Sequence, residues 1–295
     1  MKQFKYIGLI LVIAFSSASW AQQETIITQF TEQMNIINPA YAGVDNETVI
    51  SSSIRSQWTG IDEAPEMQLV NFSTGLGKNV GMGLSMVREK TFIEKQNFVT
   101  LDFSYKLKVS DNTDLYFGIK AGGNFYDVNV NGLETYNLVS DPSLVNINQF
   151  SPNIGTGVYL KRDKWYVSLS VPRMLNTERA RNDNGIATVA TDRPHFYAST
   201  GYDFTLNSKG TLFLQPALLM RYVNGAPVSI DINAMLSFNN KFKLGGTYRT
   251  DQAYAAIMNV EVSNHFILGF AFEKSTRSEL ARTRNTNEIL LKFKF

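Results

Sequence analysis

The last eight residues of the chain, 288–295, alternate in polarity with a period of two. The apolar face carries Ile289, Leu291, Phe293 and Phe295. The opposite face is mostly polar and includes Glu288 and two lysines. A strand in a closed membrane barrel needs apolar side chains toward lipid and polar side chains toward the lumen. This pattern therefore predicts a membrane-spanning β-strand.

Similar strand candidates follow one another from residue 48 to the end of the chain. Most are near the about ten residues that a tilted membrane-spanning strand needs. They cover 48–56, 67–74, 80–89, 97–108, 114–128, 151–161, 165–172, 193–206, 210–223, 229–238, 242–250, 253–262, 266–275 and 287–295. We predict an all-β fold, a transmembrane antiparallel β-barrel of the outer-membrane type with about 14 strands.

The connections between these strands tend to alternate between long and short. The long ones are 57–66, 90–96, 129–150, 173–192 and 276–286. Two connections on the same side, 224–228 and 251–252, are short. Membrane barrels have short periplasmic turns and long outer loops, so this alternation favours a membrane barrel over a soluble sandwich. An even number of strands places both ends of the barrel, residues 48–295, on the periplasmic side.

Two details of the strand at 210–223 can be tested. Pro216 cannot donate to a strand ladder, so we expect a bulge there or a strand that begins after it. If Val223 pairs with Ser229, Arg221 lies opposite Asp231 with both side chains in the lumen. Opposite charges at such cross-strand positions stabilise a sheet. We therefore predict a lumen charge pair between Arg221 and Asp231.

The N-terminus is typical of an export signal. Lys2 and Lys5 precede a short apolar run, and Ser19-Trp20-Ala21 places small residues at the positions that a signal peptidase reads. We expect residues 1–21 to be a signal peptide, with an uncleaved anchor as the alternative. Residues 22–47 have no strand period. They are expected to form a periplasmic segment beneath the barrel or a plug within its lumen.

Composition and residue types give no indication of catalysis. The chain has 28 basic and 26 acidic residues, so without Lys2 and Lys5 the two numbers are equal. No basic cluster suggests nucleic acid as a partner. The chain has no cysteine and two unpaired histidines, His195 and His265, so neither a metal site nor a cofactor site is expected. A hydrolase would need one of these histidines beside a nucleophilic serine. We predict no enzyme activity and no catalytic residue.

Several short runs go beyond fold class. They are 38–43 (NPAYAG), 55–60 (RSQWTG), 64–65 (AP), 81–85 (GMGLS), 170–172 (SVP), 225–233 (GAPVSIDIN), 246–249 (GTYR) and 287–291 (NEILL). In this order and spacing they resemble the PorP/SprF family of Bacteroidetes outer-membrane proteins, over nearly all of the chain from residue 29. The runs at 38–43 and 225–233 are the most specific.

The resemblance implies an outer-membrane barrel of the type IX secretion and gliding motility system. Some members are needed to secrete or surface-attach large adhesins that carry a C-terminal sorting domain, and others look like parts of the machinery. The expected partners are therefore a secreted cargo protein with such a domain, other type IX secretion components and outer-membrane lipid. The expected location is the outer membrane, after export by the signal peptide.

The motif residues have a structural alternative, since turn shaping or lumen pairing alone accounts for most of them. The exception that we favour is Arg55, Gln57 and Trp58, which are expected at the mouth of the first hairpin. An exposed aromatic residue beside an arginine is a typical anchor for a protein partner. We predict that these three residues bind the partner, with a further contribution from Phe92.

A porin or solute channel is the alternative function. Charged side chains predicted to face the lumen would suit a water-filled pore. They are Lys120, Arg221, Asp231, Lys243, Arg249, Glu261 and Glu273. The two functions differ in whether residues 22–47 and the loop at 129–150 fill that pore.

Overall fold

A computed structural model describes residues 27–131, 146–179, 190–250, 252–276 and 285–295. Most of them lie in antiparallel strands. The strands are β1 (Val49–Ser56), β2 (Glu66–Gly77), β3 (Val80–Thr91), β4 (Glu94–Ser110), β5 (Thr113–Val128), β6 (Ile147–Arg162), β7 (Trp165–Arg173), β8 (Thr177–Arg179), β9 (Ala190–Asp192), β10 (His195–Tyr202), β11 (Phe204–Thr205), β12 (Leu212–Val223), β13 (Ser229–Phe238), β14 (Phe242–Arg249), β15 (Ala253–Ser263), β16 (Phe266–Ser275) and β17 (Asn285–Lys294).

These strands form one closed barrel. Neighbours in sequence pair from β1 to β7 and from β12 to β17, β1 pairs with β17, and β10 bridges β7 and β12. The two-residue β11 continues the line of β10, and β8 and β9 form a separate hairpin. The barrel therefore has 14 strands, as the sequence predicted. Closure leaves no free sheet edge among the barrel strands.

Side chains alternate between the two faces of the barrel wall. In β17, Ile289 and Leu291 are exposed on the outside, whereas Glu288 and Leu290 are buried inside. In β13 the strict alternation places Asp231, Asn233 and Ser237 inside. The outer face carries large apolar residues on almost every strand, which is the pattern of a lipid-facing surface.

The two ends of the barrel differ. At one end, called the turn end, strands join through tight turns such as Lys78–Asn79 and Asn239–Lys241, where positive φ angles occur. The other end, called the loop end, carries 57–65 and the β8–β9 hairpin. The prediction of a long loop at 90–96 was wrong. Strand β3 continues to Thr91 and β4 begins at Glu94, and these two residues pair with each other. Only two residues are left to form the turn between the strands.

Parts of the predicted loops lie outside the described residues, namely 132–145, 180–189, 251 and 277–284. The predicted signal peptide and residues 22–26 also lie outside them. None of the helices in the described part of the chain has the length and apolar character needed to cross a membrane.

Pro216 does not cause the expected bulge. Strand β12 runs through it, and Pro216 pairs with Ala234 of β13 in unbroken register. The interruption instead lies on the other neighbour, where β10 ends at Tyr202 and β11 begins at Phe204. The break falls opposite Pro216, since Gly201 pairs with Ala217 and Phe204 pairs with Leu214. Proline has no N–H group to donate to a strand ladder. The predicted single strand 193–206 is thereby split into two.

The predicted register of the β12–β13 hairpin was wrong by two residues. Arg221 pairs with Ser229, and Asp231 pairs with Leu219. The connection is longer than assumed. The amide of Ala226 donates to the carbonyl of Val223 in a tight turn, and two more residues follow before β13 begins at Ser229. Arg221 and Asp231 are therefore diagonal neighbours on the lumen face rather than directly opposite each other.

Residues 27–47, called here the lumen segment, precede β1 and lie inside the barrel. The segment has one short α-helix, α1 (Met34–Ile37), and three 3-10 turns, Phe30–Glu32, Pro39–Tyr41 and Val44–Asn46. Asn38 shapes the middle of it, because its side chain accepts a hydrogen bond from the backbone amide of Ala40 at the start of a turn with Pro39 at its first position.

Candidate functional site

The lumen segment forms the apolar centre of the protein. Its buried apolar residues include Ile27, Phe30, Met34, Ile37, Ala40 and Val44. They pack against inward-facing residues of the barrel wall, among them Leu69, Tyr116 and Leu219. Phe30 is only 1% exposed and Ala40 is fully buried. The hydrophobic effect therefore holds the segment in the lumen, since its withdrawal would expose this surface to water.

Glycines in the wall allow the segment to approach the strands closely. A Cβ atom on Gly118 would lie 2.1 Å from the backbone nitrogen of Ala40. A Cβ atom on Gly157 would lie 2.0 Å from Oδ1 of Asn38, and one on Gly81 would lie 2.1 Å from the carbonyl oxygen of Ala42. Any larger residue at these three positions would collide with the segment, so the glycines form its seat.

Polar side chains of the wall bind the backbone of the segment. Ser104 donates to the carbonyl of Ala42 at 2.5 Å, and Ser170 donates to the carbonyl of Ile37 at 2.6 Å. In the other direction, the side-chain amide of Asn38 donates to Ser168 at 2.7 Å. These bonds satisfy buried polar groups in a segment that has little regular structure of its own.

A continuous chain of six buried charges runs along the lumen face of the wall near the loop end. In order of contact, its members are Glu288, Arg55, Glu273, Arg249, Asp231 and Arg221, and we call them the charge chain. The ion pairs join neighbours at 3.6, 2.7, 3.1, 2.6 and 3.3 Å. None of the six residues is more than 7% exposed. Three arginines balance three carboxylates, so the chain carries no net charge.

The charge chain grips the start of the lumen segment. Glu288 accepts hydrogen bonds from two consecutive backbone amides, those of Thr28 at 2.9 Å and Gln29 at 3.1 Å. The hydroxyl of Thr28 accepts from Arg55 at 2.6 Å and donates to Glu273 at 3.1 Å. Hydrogen bonds to buried charged groups are stronger than neutral ones. The charge chain therefore holds the first residues of the lumen segment in a fixed position against the barrel wall.

Further charged contacts hold the segment. Glu32 lies between the ammonium groups of Lys243 at 2.9 Å and Lys292 at 3.0 Å. Burial of Glu32 raises its pKa, but these two ammonium groups outweigh burial and hold the pKa well below its usual value. On the opposite wall, Lys120 pairs with Asp102 at 2.8 Å and donates to the carbonyl of Asn35.

The three residues predicted to bind a partner do not lie together. Arg55 is 2% exposed and belongs to the charge chain, so the prediction that it lies on an external binding surface was wrong. The reason is strand parity, which turns Arg55 inward beside two carboxylates. Gln57 and Trp58 begin the β1–β2 loop at the loop end, where both are partly exposed and Trp58 has a positive φ of 49°.

The residues of the predicted lumen charge pair, Arg221 and Asp231, lie 3.3 Å apart at the end of the charge chain. Sequence reasoning missed the roles of Thr28 and Glu32, whose polar side chains had no strand period to place them. Glu288 could have been found, because it is the only acid on the inward face of the last strand.

The histidines are placed apart from each other. His195 begins β10 with a buried side chain, and the Nδ1 atom of His265 lies 2.9 Å from the carbonyl oxygen of Lys294 in a tight turn. In the described ranges, no group of three or more His, Asp or Glu residues is arranged to hold a metal ion.

The sequence runs noted above meet at the lumen segment. Five of them supply a residue that touches it: 55–60 through Arg55, 81–85 through Gly81, 170–172 through Ser170, 287–291 through Glu288, and 38–43 as part of the segment itself. Two more, 225–233 and 246–249, supply Asp231 and Arg249 of the charge chain. The arrangement is suited to holding an internal segment rather than to bond chemistry.

Solved structures with a similar fold are membrane barrels. The CymD monoaromatic hydrocarbon channel is 10% identical, with 92% of each chain covered and a TM-score of 0.50. The toluene transporter TbuX of Ralstonia pickettii is 9% identical, with 87% of this chain and 91% of that one covered and a TM-score of 0.49. CdiB from Acinetobacter baumannii is 8% identical over 84% of this chain and 60% of that one, with a TM-score of 0.46.

At 10% identity, the likeness to CymD shows a shared barrel fold and nothing about transport. No curated protein sequence matches the chain. The model of one protein family, described as type IX secretion system membrane protein PorP/SprF, matches residues 19–293. That match spans nearly the whole chain, including the lumen segment and all 14 barrel strands. The chain therefore belongs to the PorP/SprF family of type IX secretion system membrane proteins.

Proposed function

We propose that this outer-membrane barrel is a plugged docking protein of the type IX secretion system. It receives a large secreted protein at its loop end, through the C-terminal sorting domain of that cargo, and assists its secretion or its attachment to the surface. Family and fold are those of a membrane secretion barrel and not of an enzyme. The proposed function is therefore to bind a partner and not to catalyse a reaction.

The filled lumen is the observation that carries this proposal. The lumen segment is held by apolar burial, by close contact with wall glycines and by the charge chain at its start. A segment attached in so many ways favours a closed barrel. In a closed barrel, the surfaces that can bind a partner are the loop end, the turn end and the lipid-facing wall.

The loop end offers a platform for a partner. The loop that begins at Gln57 is tied to its neighbours, because Thr59 donates to the carbonyl of Asn285 and Phe92 donates to that of Glu63. Trp58 and Phe92 thus lie on adjoining, connected turns, and the Phe92 side chain is exposed. Aromatic residues held on a rigid support are suitable anchors for a protein interface. Other components of the secretion system are the expected partners at the turn end.

A solute channel is the second candidate, and single-channel conductance separates the two. The purified barrel should be closed in a planar bilayer, whereas a variant that lacks residues 27–47 should conduct ions steadily. Because that deletion removes part of the apolar centre, Glu288→Ala serves as a milder second variant. Steady conductance of the unchanged protein would contradict the proposal.

Docking itself is tested by isolating the tagged barrel from solubilised outer membranes and identifying the co-purifying proteins by mass spectrometry. The proposal expects a large secreted protein that is lost when its C-terminal domain is deleted. Recovery of the barrel alone, together with steady conductance, would favour the channel.

We also propose that export uses residues 1–21 as a cleaved signal, which leaves residues 22–47 ahead of the barrel. Sequencing the N-terminus of the protein from outer membranes tests this, and a chain that retains Lys2 and Lys5 would contradict it.

A further inference from the structure

The lipid-facing surface changes from apolar to charged at one level of strands β2, β3 and β4. On β4 the outward residues from Val99 to Val109 are all apolar or aromatic. These two valines are ten positions apart, which in a strand tilted by about 40° corresponds to roughly 25 Å across the membrane. That distance is the height of the apolar band on a membrane barrel. Outward residues of β4 that precede Val99 therefore lie beyond the hydrocarbon, toward the loop end.

Polar residues form the next two rows across these three strands. The last apolar row consists of the cross-strand partners Val70, Met86 and Val99. The row beyond it is Gln68, Arg88 and Asn97, and the second row is Glu66, Lys90 and Lys95. All of them share the outward side, because the side chains on one face of a strand recur at every second residue. Three cations are thus placed on two adjoining strands, next to the apolar band.

These three cations are not neutralised by their neighbours. Lys90 and Lys95 are directly opposite each other, and like charges in that position destabilise a sheet. Glu66 is the cross-strand partner of Lys90 on its other side, but its carboxylate accepts a hydrogen bond from Gln68 at 2.6 Å. Asp127 is the corresponding partner of Lys95, and within the described ranges neither carboxylate forms an ion pair with a cation of this group. With three cations and two carboxylates, the outward group has a net charge of +1.

Other strands are apolar or aromatic on the outside near the loop end. Their outward residues include Tyr222 on β12, Tyr248 on β14 and Phe272 on β16. Lys274, two positions beyond Phe272, is a single outward cation. Charges on the lipid-facing side of a barrel are unfavourable within the hydrocarbon and tolerated only near the interface. The grouping of three cations on one side of the barrel therefore indicates an anionic partner among the lipid head groups.

We propose that Arg88, Lys90 and Lys95 bind a phosphate group of the glycolipid that forms the outer leaflet of the outer membrane. The guanidinium of Arg88 matches phosphate oxygens with two parallel hydrogen bonds, and the two ammonium groups supply further charge. The acyl chains of the same lipid lie against the apolar row directly below, which includes Met86 and Val99. The phosphate also relieves the repulsion between Lys90 and Lys95.

A phospholipid, a free anion and an acidic protein segment are the competing ligands. The long loops of membrane barrels face outward, so the loop end lies at the leaflet that the glycolipid forms. A free phosphate ion would make no use of the apolar row beside Arg88. An acidic protein segment would approach from beyond the loop end, whereas these side chains are on the lipid-facing side of β3 and β4. The position therefore favours the glycolipid.

The proposed lipid site goes beyond cargo docking and does not depend on it. The site lies on the outer wall of β3 and β4, whereas Trp58 lies in the loop that follows β1. Lipid binding is measured on the purified barrel without cargo. A failure of lipid binding would therefore leave the docking proposal untouched, and the reverse also holds.

The test measures binding of bisphosphorylated lipid A to the full protein in a neutral detergent. Native mass spectrometry counts the lipids retained on the barrel and gives the affinity from a titration. The comparison ligands are lipid A from which the phosphates have been removed, phosphatidylglycerol, inorganic phosphate and a polyglutamate peptide. The first lacks only the phosphates, and the other three represent the competing ligands.

We expect one saturable lipid A molecule per barrel, with the phosphate-free form bound at least about tenfold more weakly. A variant that combines Arg88→Gln, Lys90→Gln and Lys95→Gln should bind the two forms of lipid A equally. Lys274→Gln, which removes an outward cation near the loop end of β16, is the matched control and should bind lipid A as the unchanged protein does. Lys90→Arg keeps the charge and should retain binding.

Several results would overturn the proposal. They are an absence of saturable binding, equal affinity for phosphate-free lipid A, equal affinity for phosphatidylglycerol, and a triple variant that binds as the unchanged protein does. Tighter binding of inorganic phosphate or of polyglutamate would assign the cations to a free anion or to an acidic protein partner instead. Folding of each variant is checked by its heat-modifiable migration on gels.

Discussion

The carboxylate of Glu288 accepts a hydrogen bond of 2.9 Å from the backbone amide of Thr28, a residue 260 positions earlier in the chain. This contact joins the last strand of the barrel to the start of the lumen segment. Glu288 lies on β17, the strand that closes the barrel against β1. Closure of the barrel and seating of the segment are therefore linked by one buried charge.

Replacement of Glu288 by alanine should loosen the lumen segment. The change removes the acceptor of two backbone amides and leaves Arg55 with Glu273 as its remaining carboxylate in the charge chain. Removal of one partner from a buried ion pair costs about 3–5 kcal/mol. We expect faster hydrogen exchange in residues 27–37 and intermittent channel openings.

The matched control for Glu288→Ala is Lys108→Ala, which breaks an exposed pair with Asp111. Exposed pairs contribute roughly 0–1 kcal/mol, so exchange and conductance should remain unchanged. Equal exchange in the Glu288→Ala protein and the unchanged protein would show that apolar burial alone holds the segment.

Replacement of Gly118 by alanine should push the lumen segment away from β5. The added methyl group would meet the backbone of Pro39 and Ala40 at 2.4 and 2.1 Å, and backbone atoms cannot move aside cheaply. We expect proteolysis within residues 38–47 that the unchanged protein resists. Gly77→Asn is the control, because no atom lies within 4 Å of that position and asparagine tolerates its positive φ. Resistance of both variants would contradict the close approach.

The contact of Glu32 with Lys243 and Lys292 should make seating of the lumen segment depend on acidity. Because the pKa of Glu32 is held below its usual value, the ionised form stabilises the seated state. This stabilisation is complete above the pKa of an unperturbed glutamate, about 4.3, and is lost as the pH falls through the lower pKa of the seated state. The protection factors of residues 30–37, which correct the exchange rate for its intrinsic pH dependence, should therefore be constant from pH 7 to 5 and fall below pH 4.

Glu32→Gln is the variant that checks this assignment. It cannot ionise, so the difference in protection between it and the unchanged protein should disappear at low pH. A difference that is as large at pH 3 as at pH 7 would assign the acid sensitivity to another carboxylate.

Replacement of Trp58 by alanine should reduce display of the cargo on the cell surface without lowering the amount of barrel in the membrane. The expected cause is loss of an aromatic anchor at the loop end. Immunofluorescence of the cargo and immunoblotting of the barrel measure the two quantities. Tyr105→Ala, an exposed aromatic residue of the outer face of β4, is the control. Unaltered display in the Trp58→Ala strain would assign Trp58 to the membrane-interface aromatic belt instead.

Strand positions were readable from sequence because the side-chain period of a barrel wall is local. Ile230, Asp231 and Ile232 alternate in polarity, and the structure places them outside, inside and outside. The same rule gave the inward side of Glu288. It was not applied to Arg55, which lies on the same buried face of β1 as Ser51 and Ser53.

Register was less predictable, because it depends on how many residues a turn leaves unpaired. Strand β12 stops pairing with β13 at Arg221, two residues before the predicted end at Val223. Arg221 therefore lies diagonal to Asp231 and not directly opposite it. The two charges still lie 3.3 Å apart, because long side chains can reach diagonal neighbours. The predicted ion pair is therefore present even though the predicted strand register was wrong.

The sequence by itself determined a 14-strand membrane barrel, since each strand repeats a two-residue pattern that needs no knowledge of distant residues. Only the tertiary structure decided where residues 27–47 lie and what holds them. Thr28, Glu32 and Asn38 find their partners on strands 120 to 260 residues away. Such contacts depend on the curvature and closure of the whole wall, which no local pattern in the sequence encodes.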